Sequence, residues 1–210
     1  MYYQLSSTAI RKVPIILLSL DEESLTKRVG VFLLFLPAAV LVAGLFGMIH
    51  DQISYSVSRE YFTKFKFIQF HLLDPDIPER IRAAEVGFLA SWWMGLPLGF
   101  LGGLAGFVQP SVTLMWRALI WSLLVVATFT LTIALAGLAY GWVQTGMIDL
   151  ASYRGWFVPG GVTDLRHFLC AGYMHNSAYL GGALSLPVAW LFHLIFRART
   201  SKPIQSQETT

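Results

Sequence analysis

Val29 to Ile49 reads VGVFLLFLPAAVLVAGLFGMI, 21 residues without Asp, Glu, Lys or Arg. At 1.5 Å per residue, a helix of about 20 apolar residues crosses the roughly 30 Å hydrocarbon core of a bilayer. This run therefore reads as a transmembrane helix. Gly87 to Val108, Ala118 to Trp142 and Ala171 to Phe196 repeat the pattern, each free of the same charged residues. Backbone in lipid must satisfy its own hydrogen bonds, and the short alternating segments of a barrel are absent, so all four runs are expected to be helices. The chain reads as an all-α integral membrane protein with a single membrane domain over residues 1–210. Its architecture is a four-transmembrane-helix bundle with spans at 29–49, 87–108, 118–142 and 171–196.

The composition supports this reading. Charged residues make up 13% of the chain, against about 25% in soluble domains. Hydrophobic residues reach 55%, which excludes a disordered chain. A lone cysteine, Cys170, excludes an intrachain disulfide framework. The net charge is only +3, and much of the basic charge sits at span boundaries, so no nucleic-acid-binding patch is written into the chain.

Outward from the first span, residues 1–28 form an N-terminal tail and helix start. Arg11 and Lys12 precede the apolar run Val13 to Leu20, but Asp21-Glu22-Glu23 follows where a secretory signal would have a small-residue cleavage site. Ser19 and Glu22 instead have capping-box spacing. The same spacing recurs as Asp76 and Glu79, with Pro78 in the tolerant first turn. A helix from Ile77 to Val108 is expected there, its first turns carrying Arg80, Arg82 and Glu85 in the interface. Lys27 and Arg28 abut the first span and Arg197 the last. The distribution of basic residues therefore places both termini, including the tail 197–210, in the cytoplasm of a bacterial inner (plasma) membrane.

Gly95, Gly99 and Gly103 form a stripe at four-residue spacing, and Gly137, Gly141 and Gly182 offer matching faces in the later spans. Small residues let helix backbones approach closely in lipid. The expected use is a compact bundle within one chain, with a homodimer through the second-span stripe as the alternative. Pro37, Pro97 and Pro187 fall inside spans and mark bends or local breaks.

Residues 50–86 form the first loop, dense in aromatics. At 100° per residue, Tyr61, Phe62, Phe65, Ile68, Leu72 and Leu73 fall within an arc of about 140°. Phe67 and Phe70 break the pattern. The spacing predicts an amphipathic interfacial helix from about Arg59 to Leu73. Ile53, Tyr55 and Val57 alternate with Ser54, Ser56 and Ser58, which permits a short extended lead-in. Such a helix either closes the bundle's end as a lid, or presents Tyr61, Phe62, Phe65 and Phe67 to lipid, a lipophilic ligand or a membrane protein partner.

Chemical candidates are few. His50, His71, His167 and His175 lie on one side of the membrane, with Asp51, Glu85, Asp164 and Cys170 near the same level; His193 lies near the other. Imidazole and carboxylate donors suit zinc, copper or iron. Yet H-x-x-x-H, H-E-x-x-H and C-x-x-C are all absent. His175, with Asn176 and Tyr179, interrupts an apolar span, where an ionisable residue is a functional candidate by default. His50 and His175 form the one plausible axial pair for a haem. Three functions follow as expectations. The first is a non-catalytic subunit that docks a lipid or protein through the aromatic loop. The second is a small transporter or proton or ion conductor using His175 and Glu85. The third is a metal or haem oxidoreductase using His50, His71, His167 and His175.

Overall fold

A computed structural model describes residues 22–147 and 149–200. The proposed Ser19 cap and both tails beyond these limits lie outside the described residues. The described chain contains helices and turns and no strand. Helix α1 spans Glu22–Val57, and a short helical segment, α2, covers residues 59–69. Helix α3 spans Glu79–Val108, α4 spans Val112–Met147 and α5 spans Leu165–Thr200. Four of these, α1, α3, α4 and α5, are long and apolar enough to cross a membrane. The all-α four-span bundle is therefore the fold.

The helices run well past the apolar runs that announced them. Helix α1 has 36 residues, about 54 Å at 1.5 Å each, so it carries His50 to Val57 beyond the charge-free segment. The alternating serines do not start an extended lead-in. Ser56 Oγ donates to the Gln52 carbonyl one turn back at 2.8 Å, which absorbs the hydroxyl without leaving the helix. Ser58 then ends α1 in extended geometry, and its hydroxyl accepts from the Tyr61 N–H at 3.2 Å, capping α2.

Segment α2 contains a π-turn over Phe62–Lys66, in which the Phe67 N–H reaches the Phe62 carbonyl. This wider turn brings Phe62 and Phe67 onto one face, with ring centroids 5.9 Å apart. It explains why Phe67 breaks the 100° pattern. Tyr61, Phe62 and Phe67 are all buried, packed with Ala83 and Val86 of α3 and Phe168 and Ala171 of α5. The aromatic face thus turns onto the bundle and closes its end.

Helix α3 begins at Glu79, with Pro78 in the capping position. Asp76 does not cap it: the Asp74 carboxylate accepts the Asp76 N–H at 2.9 Å, folding the preceding turn on itself. Within the span, Trp92–Met94 is 3-10 helix. Pro97 lacks the N–H that would reach the Trp93 carbonyl, and its ring crowds that carbonyl, so the break falls there. The last turn, Leu104–Val108, also tightens to 3-10.

Glycines set the helix spacing. Gly47 of α1 and Gly87 of α3 cross so closely that a Cβ on either would strike the other's carbonyl. A Cβ on Gly95 would lie 2.6 Å from the Ala39 carbonyl oxygen, one on Gly99 2.6 Å from the Ala39 Cβ, and one on Gly103 2.8 Å from Phe35. The second-span stripe therefore faces α1 of the same chain. Gly137 and Gly141 of α4 face Ser177 and Tyr173 of α5 in the same way. At the far end, Arg28 Nη1 donates to the Gln109 carbonyl at 2.8 Å, and Gln109 Nε2 donates to the His193 carbonyl at 2.9 Å. Arg197 Nη1 donates to the Val108 carbonyl at 2.6 Å. The start of α1 and the end of α5 thus share one face.

Candidate intramembrane site

Because α1 continues two turns beyond Ile49, His50, Asp51 and Ser54 enter the bundle opposite His175 of α5. All four are buried. His50 Nδ1 lies 2.8 Å from Asp51 Oδ1. With the Asp51 carboxylate ionised, His50 donates through Nδ1 and carries its lone pair on Nε2. His175 Nε2 lies 3.1 Å from Ser54 Oγ and 3.7 Å from Asp51 Oδ1. The two imidazoles meet edge to face, centroids 4.7 Å apart at 87°. Among the described residues, His50 Nε2 and Asp51 Oδ2 are buried and have no hydrogen-bond partner. Such orphaned groups are rare in folded proteins, because each carries an uncompensated desolvation penalty of about 1–3 kcal/mol.

The aromatic segment covers this cluster. The Tyr61 ring lies 4.8 Å from the His175 ring at 30°, and the Phe62 ring lies 6.3 Å from it. Lys66 is buried beside them, its Nζ donating to Gln69 Oε1 at 3.1 Å and standing 4.7 Å from the centre of the Phe65 ring. Burial pushes the Lys66 ammonium below its ordinary pKa, and the Asp51 carboxylate draws it back up. Burial likewise raises the Tyr61 phenol above its usual range.

Two clasps hold the segment down. The Glu60 carboxylate accepts from the Thr163 and Asp164 N–H groups and the Thr163 hydroxyl at 2.8–3.2 Å. These bonds, led by the Asp164 N–H, hold Glu60 below the usual carboxylate range. Arg59 forms a two-pronged pair with Glu79, both contacts at 2.6 Å.

On the membrane side of the cluster lies a largely apolar slot of about 120 Å³, lined by all four spanning helices. Its wall on α1 runs from Asp51 to Phe35, about 24 Å at 1.5 Å per residue. The slot also has hydroxyls in its wall, but Ser122 Oγ donates to the Leu119 carbonyl at 2.7 Å and Ser185 Oγ to the Gly182 carbonyl at 2.6 Å. Gly182 faces space here, since a Cβ would meet only Leu98 at 3.7 Å and Met94 at 3.8 Å.

The candidates from sequence divide. His50 and His175 converge, joined by Asp51, which sequence reading placed at the right level without singling it out. Ser54 and Lys66 were not anticipated at all. The available signal was a carboxylate one residue beyond His50, directly after an apolar run. His71 is exposed in the loop after α2, at φ 57°. His167 pairs with Asp164 at 2.6 Å and packs on Trp142 at 4.9 Å. Glu85 is half-buried and does not line the slot, Asn176 is exposed, and Tyr179 lines the slot while 46% exposed. Edge-to-face rings 4.7 Å apart leave no gap for a haem between His50 and His175. No family model, curated protein or solved structure matches the chain.

Proposed function

We propose that this protein is a non-catalytic membrane protein that holds a single-chain lipophilic molecule inside its bundle. The chain occupies the slot, and its polar head sits at His50, Asp51 and His175. The observation that carries this reading is the junction of the two: a largely apolar slot whose lining includes His50, Asp51 and His175, the first two carrying buried polar atoms without a partner. The wall on α1 is about 24 Å long, a shape that an extended alkyl or isoprenoid chain can follow. Asp51 Oδ2 and His50 Nε2 both accept, so the complementary head is a donor, and a hydroxyl is the simplest. Segment α2 is then the lid over the head group.

This reading keeps the lipid partner expected from the aromatic loop and moves it inside. Tyr61, Phe62 and Phe67 are buried against the bundle, which supports a lid in preference to an outward docking surface. Conduction through His175 and Glu85 has less support, because Glu85 stands off the slot and the Ser122 and Ser185 hydroxyls bond to their own helices. The Gly95–Gly99–Gly103 stripe is occupied by α1, which favours a lipid over a second copy as partner. Lys27, Arg28, Arg197 and Arg199 gather on the face shared by the termini. We assign that face to the cytoplasm of a bacterial inner membrane by the positive-inside rule.

Purified protein in detergent, titrated with a fluorescent long-chain alcohol, tests the proposal. Saturable binding is expected for wild type and for Gly182→Ala, whose added methyl fits the slot. Gly182→Phe should weaken binding by more than about tenfold, some 1.4 kcal/mol, with an unchanged melting temperature. No saturable binding by wild type, or equal binding by Gly182→Phe, overturns it.

A further inference from the structure

We infer that His50, Asp51 and His175 form a site for one divalent transition-metal ion of the zinc class, at the head of the slot. Two imidazoles and a carboxylate are a donor set that zinc accepts in open sites, with a fourth position left for an exogenous ligand. One donor atom from each residue lies within 4.8 Å of the others. Around zinc, with bonds of about 2.0–2.2 Å, tetrahedral donors sit roughly 3.4 Å apart. Closure therefore needs movement of about 1.4 Å at most between any two donor atoms.

The hydrogen bonding also points to a cation. Asp51 Oδ1 stands 2.8 Å from His50 Nδ1 and 3.7 Å from His175 Nε2, so the ion takes the place of the proton now shared between His50 and Asp51. The second Asp51 oxygen is a buried lone-pair atom with no donor among the described residues. A metal ion accepts electron density from such an atom and offsets the charge of a buried carboxylate. Lys66 does not do so by direct contact, because its ammonium is bonded to Gln69. Ser54 Oγ, now 3.1 Å from His175 Nε2, can turn to the carbonyl one turn back, as helix serines do. The rings of Tyr61 and Phe62 shield the site from the loop side, and the open position faces the slot. A water donating to Asp51 Oδ2 is the rival occupant.

Full-length protein in detergent, stripped with a chelator and titrated with Zn²⁺ against a chromogenic competitor, separates these. Wild type, His71→Ala and His167→Ala should each bind one equivalent. Asp51→Asn and His175→Ala should weaken binding by more than about 100-fold, the upper end of what a lost outer-sphere partner costs. Absence of binding by wild type, or wild-type binding by both variants, overturns the inference. X-ray absorption of zinc-loaded wild type decides the case if the variants fail to fold. Two imidazole nitrogens and a carboxylate oxygen at about 2.0–2.2 Å support the site, whereas a sulfur-containing or all-oxygen shell overturns it. The alcohol titration, run on the same stripped protein, tests the lipid reading separately.

Discussion

Gly47 and Gly87 have backbones in contact, and a methyl group on either would meet a carbonyl that cannot move alone. Gly47→Ala or Gly87→Ala should therefore destabilise the bundle by about 1–3 kcal/mol, as overpacking does. A thermal melt in detergent should show a fall of several degrees for each, set against no change for Gly182→Ala. The second-span stripe was legible because it recurs at one spacing within one helix. Gly47 and Gly87 were not, since their partnership exists only between two spans. Glu60 carries a different kind of information. Its carboxylate is held below its ordinary pKa by hydrogen bonds, so its clasp is complete above the unfolded value near 4.3 and is lost as pH falls through the lowered one. Hydrogen exchange across residues 58–70 should accelerate below about pH 4 in wild type. In Glu60→Gln it should already be fast at neutral pH, and a pH-independent exchange rate in wild type would remove this role for the clasp.

Segment α2 shows where helical periodicity fails. Its amphipathic character could be read from residue spacing, but not the π-turn that carries Phe67 onto the buried face beside Phe62. A one-residue change in hydrogen-bond register rotates everything beyond it, and packing against Ala83, Val86, Phe168 and Ala171 selects that register. The energetic consequence separates two neighbouring substitutions. Phe62 is fully buried, so Phe62→Ala should lower stability by about 3–5 kcal/mol. Arg59 has a side chain 70% exposed, so Arg59→Ala should cost under about 1 kcal/mol despite its two short contacts. Comparable losses in thermal melts of the two variants would contradict this division. The extension of α1 follows similar physics. A helix already nucleated in lipid continues cheaply through HDQISYSV, because each further residue adds a bond without a new nucleus.

The whole molecule places the lid and the 109–111 turn on opposite faces of the membrane. Against the wild-type Cys170, which is buried, Asp74→Cys should react with an impermeant thiol reagent in intact cells. Ser111→Cys should react only after permeabilisation; the reverse pattern would invert the orientation assigned to the termini. Four charge-free runs were enough to establish membrane spans and an all-α bundle, because transfer of unpaired charge and backbone into hydrocarbon is so unfavourable that composition and length alone decide it. His50 and His175 could be named as a couple from their positions, but their ring contact and the place of Asp51 between them, 124 residues before His175 in the chain, could not be read in that way. Side chains on separate helices meet through crossing points set by glycine contacts and through a proline-induced break, and those are properties of the packed bundle that no single segment contains.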